Sequence, residues 1–318
     1  MTQILLTLVL FFLTPTTLFA QGRIDCSDIK SRILRQPVHY CVLLPEAYDK
    51  DAGKKYPVLY FLHGLGDNEQ TLINTGAWDL IENLRQQHKI GDFLIVTPQG
   101  GRSFYINSAA LAATDGHRAN GRQANESPAN ESRAAQDEIR YSDFFLQELM
   151  PLIERKYRIR AGRASRGITG MSMGGYGALR FAFAYPALFG SVSAQSPALV
   201  TDSPQQINAA LRSGSPLGEM LGSVFGEPIN VAHWNANNPF LLARKNRTAI
   251  SRTAIYFNCG SHDNYGFEKG AAALDRQLTD EKLKHEYHLY PGDHSLPYFL
   301  SHLAETMEFH SRAFAGKE

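Results

Sequence analysis

Continuous apolar runs alternate with segments of helical spacing along most of this chain. The runs at 57–62 and 92–97 lack the alternation of apolar and polar positions that marks a half-exposed strand, so they are typical of strands covered on both faces. Further strands are predicted at 38–44, 167–169, 189–194, 253–258 and 285–290. Helices are predicted at 78–88, 174–182 and 267–282, and Leu300, Leu303, Met307 and Phe314 mark a closing helix. Strands that alternate with helices predict an α/β fold, with a mostly parallel central sheet covered by helices on both faces.

An antiparallel hairpin is predicted ahead of this alternating pattern. Its centre lies near residues 33 and 34, and Cys26 and Cys41 are equidistant from that centre. The two cysteines would therefore face each other across the strands, and we expect a disulfide between them, with two free thiols as the alternative. Cys259 follows an apolar run and is expected to be a buried residue at a strand end.

The first twenty residues differ from the rest of the chain. An apolar run from Ile4 to Leu13 has the length of a signal-peptide core, and it is too short to span a bilayer comfortably. The start carries no Lys or Arg, so an uncleaved core segment is the alternative. We expect a signal peptide over 1–20, a secreted or periplasmic mature protein and no stable membrane anchor.

Residues 21–318 are expected to form a single domain with two special segments. Ala, Asn, Ser, Gly and Arg dominate 109–136, which predicts a flexible surface insertion. Scattered Gly, Pro and Asn in 201–248 predict an irregular cap over the functional site. A helix near 145–153 is expected to bend or restart at Pro151.

Composition narrows the classes of function. The chain is 43% hydrophobic and 20% charged, and its net charge of +1 comes without a basic stripe, so nucleic acid is not an expected partner. No metal-ligand spacing and no glycine-rich nucleotide loop follows a predicted strand. We therefore expect neither a metal nor an organic cofactor.

The sequence Gly170-Met171-Ser172-Met173-Gly174 has the pattern G-x-S-x-G. A short apolar strand precedes it and a helix follows it, which is the setting of a serine nucleophile on a tight turn. A chance match in a glycine-rich turn is the alternative. In the first case Ser172 is exposed to substrate, and the backbone amide of Met173 points to where an oxyanion would form.

A serine hydroxyl needs a base to take its proton, and the base needs a carboxylate to fix its tautomer. In folds with this turn the chain order is serine, acid, histidine. Asp263 and His294 follow the last two predicted strands, so we assign them as acid and base. The neighbouring residues His262 and Asp293 are the alternatives.

Other residues are candidates for the rest of the site. The loop after the strand at 57–62 begins His63-Gly64-Leu65, and the amide of Leu65 could be a second oxyanion donor. His63 itself is expected to hold this loop by hydrogen bonds. Phe104, Tyr105 and Trp234 are candidate substrate-binding aromatics.

Taken together, these motifs resemble the putative esterase (esterase D-like) family of α/β-hydrolases, which includes feruloyl esterases, S-formylglutathione hydrolases and the antigen 85 mycolyltransferases. The matching pieces are Leu62-His63-Gly64-Leu65, Ser103-Phe104-Tyr105, Gly170 to Gly175, Cys259 to Asp263 and Gly292-Asp293-His294. The resemblance implies an α/β-hydrolase fold, a triad of Ser172, Asp263 and His294, and oxyanion donors at Leu65 and Met173.

The expected function is therefore that of an exported serine esterase that works through an acyl-enzyme. Its expected substrates are small-molecule or carbohydrate esters, with feruloyl or acetyl groups on sugars as the first choice. Acyl transfer to a sugar by the same triad, hydrolysis of a glutathione thioester, and a non-catalytic binding protein on a hydrolase scaffold are the alternatives. The long insertion departs from the family pattern, so a relative's substrate does not transfer directly.

Overall fold

The computed structural model describes residues 22–108 and 139–316. The predicted signal peptide over 1–20 and the predicted insertion over 109–136 lie outside the described residues. Within these residues eight strands form one sheet. The strands are β1 (Arg23–Lys30), β2 (Pro37–Leu44), β3 (Val58–Leu62), β4 (Leu94–Pro98), β5 (Arg166–Gly170), β6 (Ser191–Gln195), β7 (Ala254–Gly260) and β8 (Glu286–Tyr290).

The strand order across the sheet is β1-β2-β4-β3-β5-β6-β7-β8. The six strands β3 to β8 run parallel to one another. Strand β2 is antiparallel to both of its neighbours, β1 and β4. The predicted mostly parallel sheet with an antiparallel hairpin at its start is confirmed. Because the parallel strands share one direction, the loops after β3, β5, β7 and β8 open at the same edge of the sheet.

Fourteen α-helices connect or cover these strands in the described residues. They are α1 (Ala47–Lys50), α2 (Thr71–Asn74), α3 (Ala77–Gln86), α4 (Tyr141–Phe144), α5 (Met150–Lys156), α6 (Met173–Ala184), α7 (Pro204–Arg212), α8 (Pro216–Phe225), α9 (Val231–Asn237), α10 (Pro239–Lys245), α11 (Arg247–Ile250), α12 (Phe267–Asp280), α13 (Leu296–Ser301) and α14 (Leu303–Ala315).

The sheet has a separate apolar core on each face. Successive residues of β3 alternate between the two cores: Tyr60 packs in one of them, and Leu59 and Phe61 pack in the other. The first core also contains Phe181 of α6, and the second contains Met307 of α14. This alternation explains the continuous apolar run of β3, since every side chain of the strand faces a covered surface.

The hairpin β1–β2 has the register that its sequence symmetry predicts. Cys26 pairs with Cys41 directly across the two strands, and a disulfide joins them. The third cysteine, Cys259, is free and buried.

The segment 201–248 is helical rather than irregular. It forms α7 to α11, and the residues that predicted irregular backbone begin these helices. Pro204, Pro216 and Pro239 lie in the first turns of α7, α8 and α10, where a missing amide proton costs no hydrogen bond. Asn230 and Asn238 cap α9 and α10 through their side chains.

Pro151 restarts a helix instead of ending it. It lies in the first turn of α5, and a π-helical turn over Phe145–Leu149 joins α4 to α5. Proline has no amide proton to donate, so the wider turn lies where the regular hydrogen-bond ladder is interrupted.

One buried histidine joins the closing helix to the sheet. The ring nitrogens of His310 on α14 lie 2.8 Å from the hydroxyl oxygens of Ser191 and Ser193 on β6. Gly167 on β5 leaves room for the ring, because a Cβ there would lie 2.8 Å from Nδ1 of His310. Burial lowers the pKa of His310 to about 3. The imidazole is therefore neutral in the folded protein near neutral pH.

This neutral histidine predicts a loss of stability on mild acidification. In the unfolded chain an ordinary histidine takes up a proton near pH 6.5, whereas His310 in the folded chain does not until about pH 3. Between pH 6.5 and about pH 3 the unfolded state therefore binds more protons than the folded state. As a result, His310 lowers the free energy of unfolding by up to about 1.4 kcal/mol for each pH unit below pH 6.5.

Urea unfolding of the wild type and of His310→Gln at pH 7, 6 and 5 measures this contribution. We expect the free energy of unfolding to fall more steeply with decreasing pH in the wild type than in the variant. Equal slopes in the two proteins would contradict a neutral, buried His310.

Candidate active site

Four loops at the carboxyl edge of the sheet carry the candidate site. Leu65 follows β3, Ser172 lies between β5 and α6, Asp263 follows β7 and His294 follows β8. These residues are far apart in the sequence. The parallel sheet brings their loops to one edge, where open α/β sheets bind their ligands.

Ser172 has a strained backbone. Its φ is 54° and its ψ is −120°, in a region that residues with a side chain rarely adopt. Three backbone hydrogen bonds hold it there. Its amide donates to the carbonyl oxygen of Gln195 at 2.9 Å, and its own carbonyl oxygen accepts from Tyr176 and Ala198, each at 3.0 Å.

The glycines around Ser172 leave space for this turn. A Cβ at Gly174 would overlap the carbonyl oxygen of Leu62, and a Cβ at Gly170 would overlap the backbone of Gly174. The turn from β5 into α6 therefore passes closer to β3 than any residue with a side chain would allow. G-x-S-x-G is here a steric requirement of the turn.

The structure brings Ser172, His294 and Asp263 into one hydrogen-bonded row. The Oγ of Ser172 lies 2.9 Å from Nε2 of His294, and Nδ1 of His294 lies 2.6 Å from Oδ2 of Asp263. The side chains of His294 and Asp263 are 7% and 0% exposed. With Nδ1–H donating to the carboxylate, Nε2 is free to accept the serine proton.

Asp263 is held as a carboxylate by its surroundings. Burial alone would raise its pKa. The hydrogen bond and charge of His294, together with the amides of Tyr265 and Phe267, bring the pKa below its ordinary value. The amide of Tyr265 donates to Oδ1 at 2.9 Å and that of Phe267 at 3.5 Å. A buried carboxylate of this kind orients a histidine and stabilises its protonated form.

The thiol of Cys259 also contacts this carboxylate, with Sγ 3.7 Å from Oδ2 of Asp263. Burial raises the pKa of Cys259 to about 12, so the thiol stays protonated and is a packing residue rather than a nucleophile.

The two alternative assignments lie outside this row. His262 is exposed, and its Nδ1 contacts the hydroxyl of Ser261 at 2.9 Å. Asp293 is exposed as well, and its carboxylate accepts from the hydroxyl of Ser295. Each is adjacent in sequence to a residue of the hydrogen-bonded row: His262 to Asp263, and Asp293 to His294.

Leu65 and Met173, whose amides are the candidate oxyanion donors, line the same cleft as Ser172. Met173 is the first residue of α6, where amide groups have no partner within the helix. Among the described residues neither the amide of Met173 nor that of Leu65 donates to a protein acceptor. The Leu65 loop lies directly beside Ser172, because a Cβ at Gly64 would lie 3.7 Å from the Cβ of Ser172. Both amides can therefore donate to a ligand oxygen.

His63 fixes the loop that carries Leu65. Its Nδ1 lies 2.7 Å from the carbonyl oxygen of Gly64, and its Nε2 accepts the amide of Gly100 at 2.7 Å. Burial lowers the pKa of His63, and the bond to Gly64 only partly opposes this effect. The neutral ring therefore donates through Nδ1 and accepts through Nε2, and it ties this loop to the loop after β4.

A cleft of about 250 Å³ opens above Ser172 and His294. Its walls are mostly apolar. They are formed by Gly64, Leu65, Asp67, Phe104, Met171, Ser172, Met173, Ala198, Met220, Tyr265, Phe267, His294 and Phe299. Met220 belongs to α8, so the helical segment 201–248 contributes one wall of the cleft.

The three candidate aromatics have different positions. Phe104 lines the cleft. Tyr105 does not: it is fully buried behind the cleft, and its hydroxyl donates to the carbonyl oxygen of His63 at 2.9 Å. Trp234 packs against Phe225 with ring centroids 4.7 Å apart and lines a small adjoining cavity of about 10 Å³ instead. Tyr105 and Trp234 are thus supporting residues, because their rings fill the packing behind the substrate space.

Three further aromatics surround the imidazole and are not apparent from a motif search. Tyr265, Phe267 and Phe299 pack edge-to-face with His294, at centroid distances of 4.9, 5.4 and 5.2 Å. The signal that could have indicated the first two is their position just after Asp263, Tyr265 in the loop and Phe267 at the start of α12. Phe299 lies on α13, directly after the histidine loop.

Apart from the histidine, the cleft is lined by ionisable side chains of one sign only. Among its lining residues Asp67 is the only acidic side chain, and no Lys or Arg is present. Partial burial raises the pKa of Asp67. The lining residues of the cleft thus include one carboxylate and no lysine or arginine that could balance it.

Comparison with known proteins places this geometry in a family. The family model described as "Putative esterase" matches residues 31–310. The chain belongs to this esterase family. The esterase D-like resemblance of the sequence is thereby confirmed, as is the α/β-hydrolase fold that it implies.

Individual relatives are distant. Esterase Rv1288 of Mycobacterium tuberculosis is 28% identical over 266 residues, which cover 80% of this chain and 51% of the relative. The chain therefore spans about half the length of this curated relative. An acetyl esterase of Caldicellulosiruptor saccharolyticus is 23% identical over 288 residues, covering 89% of this chain and 96% of that protein.

Among solved structures, a ferulic acid esterase superposes with a TM-score of 0.65 at 22% identity, covering 92% of this chain and 99% of that one. At this identity the likeness shows the fold. In this chain, none of the helices within residues 22–108 and 139–316 has both the length and the apolar character needed to cross a bilayer.

The His63 contacts predict a catalytic effect of a residue that does not touch the substrate. His63→Ala removes both hydrogen bonds that tie the loop of Leu65, so the loop amide loses its fixed direction. We expect kcat for an aryl ester to fall at least about tenfold. The fall should not exceed the roughly 10²- to 10³-fold loss that removal of a whole oxyanion donor causes, and KM should change less.

Steady-state kinetics, with circular dichroism to verify folding, measures this effect. His39→Ala is the matched control, because His39 is exposed on β2. An unchanged kcat in a folded His63→Ala protein would show that the loop does not need its histidine.

Proposed function

We propose that this esterase-family protein hydrolyses carboxylic esters through an acyl-enzyme on Ser172. The observation that carries the proposal is the continuous contact from Oγ of Ser172 through His294 to Asp263, at 2.9 and 2.6 Å. These are the distances that a nucleophile, its base and the orienting carboxylate require. The strained backbone of Ser172 and the two unpartnered amides support the same assignment.

In the first half of the reaction Ser172 Oγ attacks the ester carbonyl carbon, and Nε2 of His294 accepts the hydroxyl proton. The carbonyl oxygen becomes an oxyanion that accepts hydrogen bonds from the amides of Leu65 and Met173. When the intermediate collapses, the carbon–oxygen bond to the alcohol breaks. The imidazolium gives its proton to the departing oxygen, and the acyl group remains on Ser172.

In the second half a water molecule takes the place of the alcohol. His294 accepts a proton from the water as it attacks the acyl carbon. The new tetrahedral intermediate collapses by breaking the bond between the acyl carbon and Ser172 Oγ, His294 returns the proton to Oγ, and the carboxylic acid is released. Asp263 stays ionised throughout and stabilises the imidazolium in both halves. Atoms and protons balance without any cofactor.

The substrate class that we propose is acyl esters of carbohydrates, with acetyl and feruloyl groups as the acyl part. The names of two similar proteins, an acetyl esterase and a ferulic acid esterase, support the choice of the acyl groups. The apolar walls around Ser172 suit an uncharged acyl group. The lone carboxylate of Asp67 disfavours a glutathione thioester, whose peptide part carries carboxylates of its own.

We also propose that the protein is exported to a secreted or periplasmic location. The apolar segment at 4–13 motivates this proposal, and the disulfide between Cys26 and Cys41 is compatible with an oxidising compartment. Polysaccharide esters are found outside the cytoplasm, so location and substrate agree.

Turnover of an ester panel tests the proposed activity. We expect the wild type to hydrolyse 4-nitrophenyl acetate, methyl ferulate and an acetylated xylose. Ser172→Ala, which lacks the attacking oxygen, should show no turnover above background while remaining folded. Turnover that persists in Ser172→Ala would place the chemistry elsewhere.

The role of Asp263 is tested by replacing its carboxylate with an amide. Asp263→Asn presents an amide where His294 needs an acceptor, so the ring takes the wrong tautomer, and kcat should fall on the order of 10⁴-fold. Asp293→Asn is the matched control, because it makes the same exchange one residue from His294 on an exposed side chain. Steady-state kinetics gives kcat for both variants, and thermal unfolding verifies that both are folded at the assay temperature. Similar rates in both variants would contradict the role of Asp263.

A further inference from the structure

An exposed aromatic ring stands at the mouth of the cleft. Six large apolar side chains of the described residues are exposed, and Tyr265, at 56%, is the only aromatic one among them. It also lines the cleft above Ser172, which none of the other five does. An exposed ring is costly to leave in water, and at a binding site it offers a large rigid contact surface.

The position of Tyr265 assigns it to one side of the ester. His294 must give its proton to the leaving oxygen, so the alcohol part of the substrate lies on the His294 side of Ser172. The ring centroid of Tyr265 is 4.9 Å from that of His294, at an interplanar angle of 79°. Phe104 and Met220 also line the cleft, and neither has a ring contact with His294.

One face of the ring is already covered. Tyr265 stacks on Phe267 with centroids 5.4 Å apart and an interplanar angle of 16°. Phe267 is itself buried, so it holds the tyrosine from behind. Because Phe267 lies against one face, the exposed part of Tyr265 lies on the remainder of the ring, beside His294 and at the cleft.

We propose that Tyr265 forms the subsite for the alcohol part of the substrate and that its free face binds the ring of a sugar. The C–H face of a pyranose or furanose is apolar, flat and of similar size to a phenol ring, whereas a methyl alcohol is too small to reach it. This inference rests on the proposed ester hydrolysis. It adds that the enzyme selects sugar esters over simple alkyl esters of the same acid.

The side chain can be changed without disturbing the acid. Tyr265 contacts Asp263 through its backbone amide, and that bond persists whatever the side chain is. A change of side chain therefore tests the ring and leaves the orienting carboxylate in place.

Matched substrate pairs test the proposal: methyl ferulate against feruloyl-arabinose, and methyl acetate against acetylated xylose. The readout is the ratio of kcat/KM for the sugar ester to kcat/KM for the methyl ester of the same acid. We expect this ratio to exceed 1 in the wild type and to fall about tenfold in Tyr265→Ala, through a higher KM for the sugar ester. Tyr265→Phe should keep the ratio, because the ring face remains. Leu289→Ala removes an equally exposed apolar side chain on β8, outside the cleft, and should change nothing.

Each other result counts against the proposal in a distinct way. A ratio that is unchanged in Tyr265→Ala would overturn the sugar subsite. A parallel fall of kcat on both members of a pair would show that Tyr265 only positions His294. A wild type that cleaves none of the four esters would overturn the proposed hydrolysis itself, whatever the variants do.

Discussion

The backbone of Ser172 is the constraint on which the rest of the site depends. Its φ of 54° turns the chain sharply from β5 into α6, and Ser172 lines the cleft with its Oγ in contact with His294. Such a conformation persists only where the surroundings over-determine it. Here the carbonyl of Gln195, the amides of Tyr176 and Ala198, and the absence of side chains at Gly170 and Gly174 do so. The first helical amide, that of Met173, then necessarily lies beside Ser172.

The remaining parts are placed by the direction of the parallel strands. Because β3, β5, β7 and β8 all end at one edge, loops separated by many residues converge without any special linker. Buried supports then fix each loop: His63 holds the loop of Leu65, and two amides together with His294 hold the carboxylate of Asp263. Electrostatics follows from this packing, since the carboxylate stays charged while His63 and His310 stay neutral.

Much of this architecture could be predicted from the sequence because its signals are local and steric. The run of β3 is apolar at every position since both faces are covered, and the equal spacing of Cys26 and Cys41 from the hairpin centre sets their register. The segment 201–248 was not predictable in the same way. Prolines and asparagines are common both in irregular turns and at helix starts. In this segment two of the asparagines cap helices and three of the prolines lie in first turns, which only the folded structure reveals. Tyr105 and Trp234 show a second limit: an aromatic in a loop near a site can face the ligand or support the wall behind it, and packing decides which.

The most direct test of the account is to locate a covalent adduct of a fluorophosphonate on the wild-type protein by peptide mass spectrometry. A serine activated by His294 and flanked by two free amides should attack the phosphorus, which mimics the tetrahedral intermediate. We expect one adduct per chain, on the peptide that contains Ser172, and no adduct in Ser172→Ala. A folded wild-type protein that stays unlabelled, or that carries its label on another residue, would contradict it.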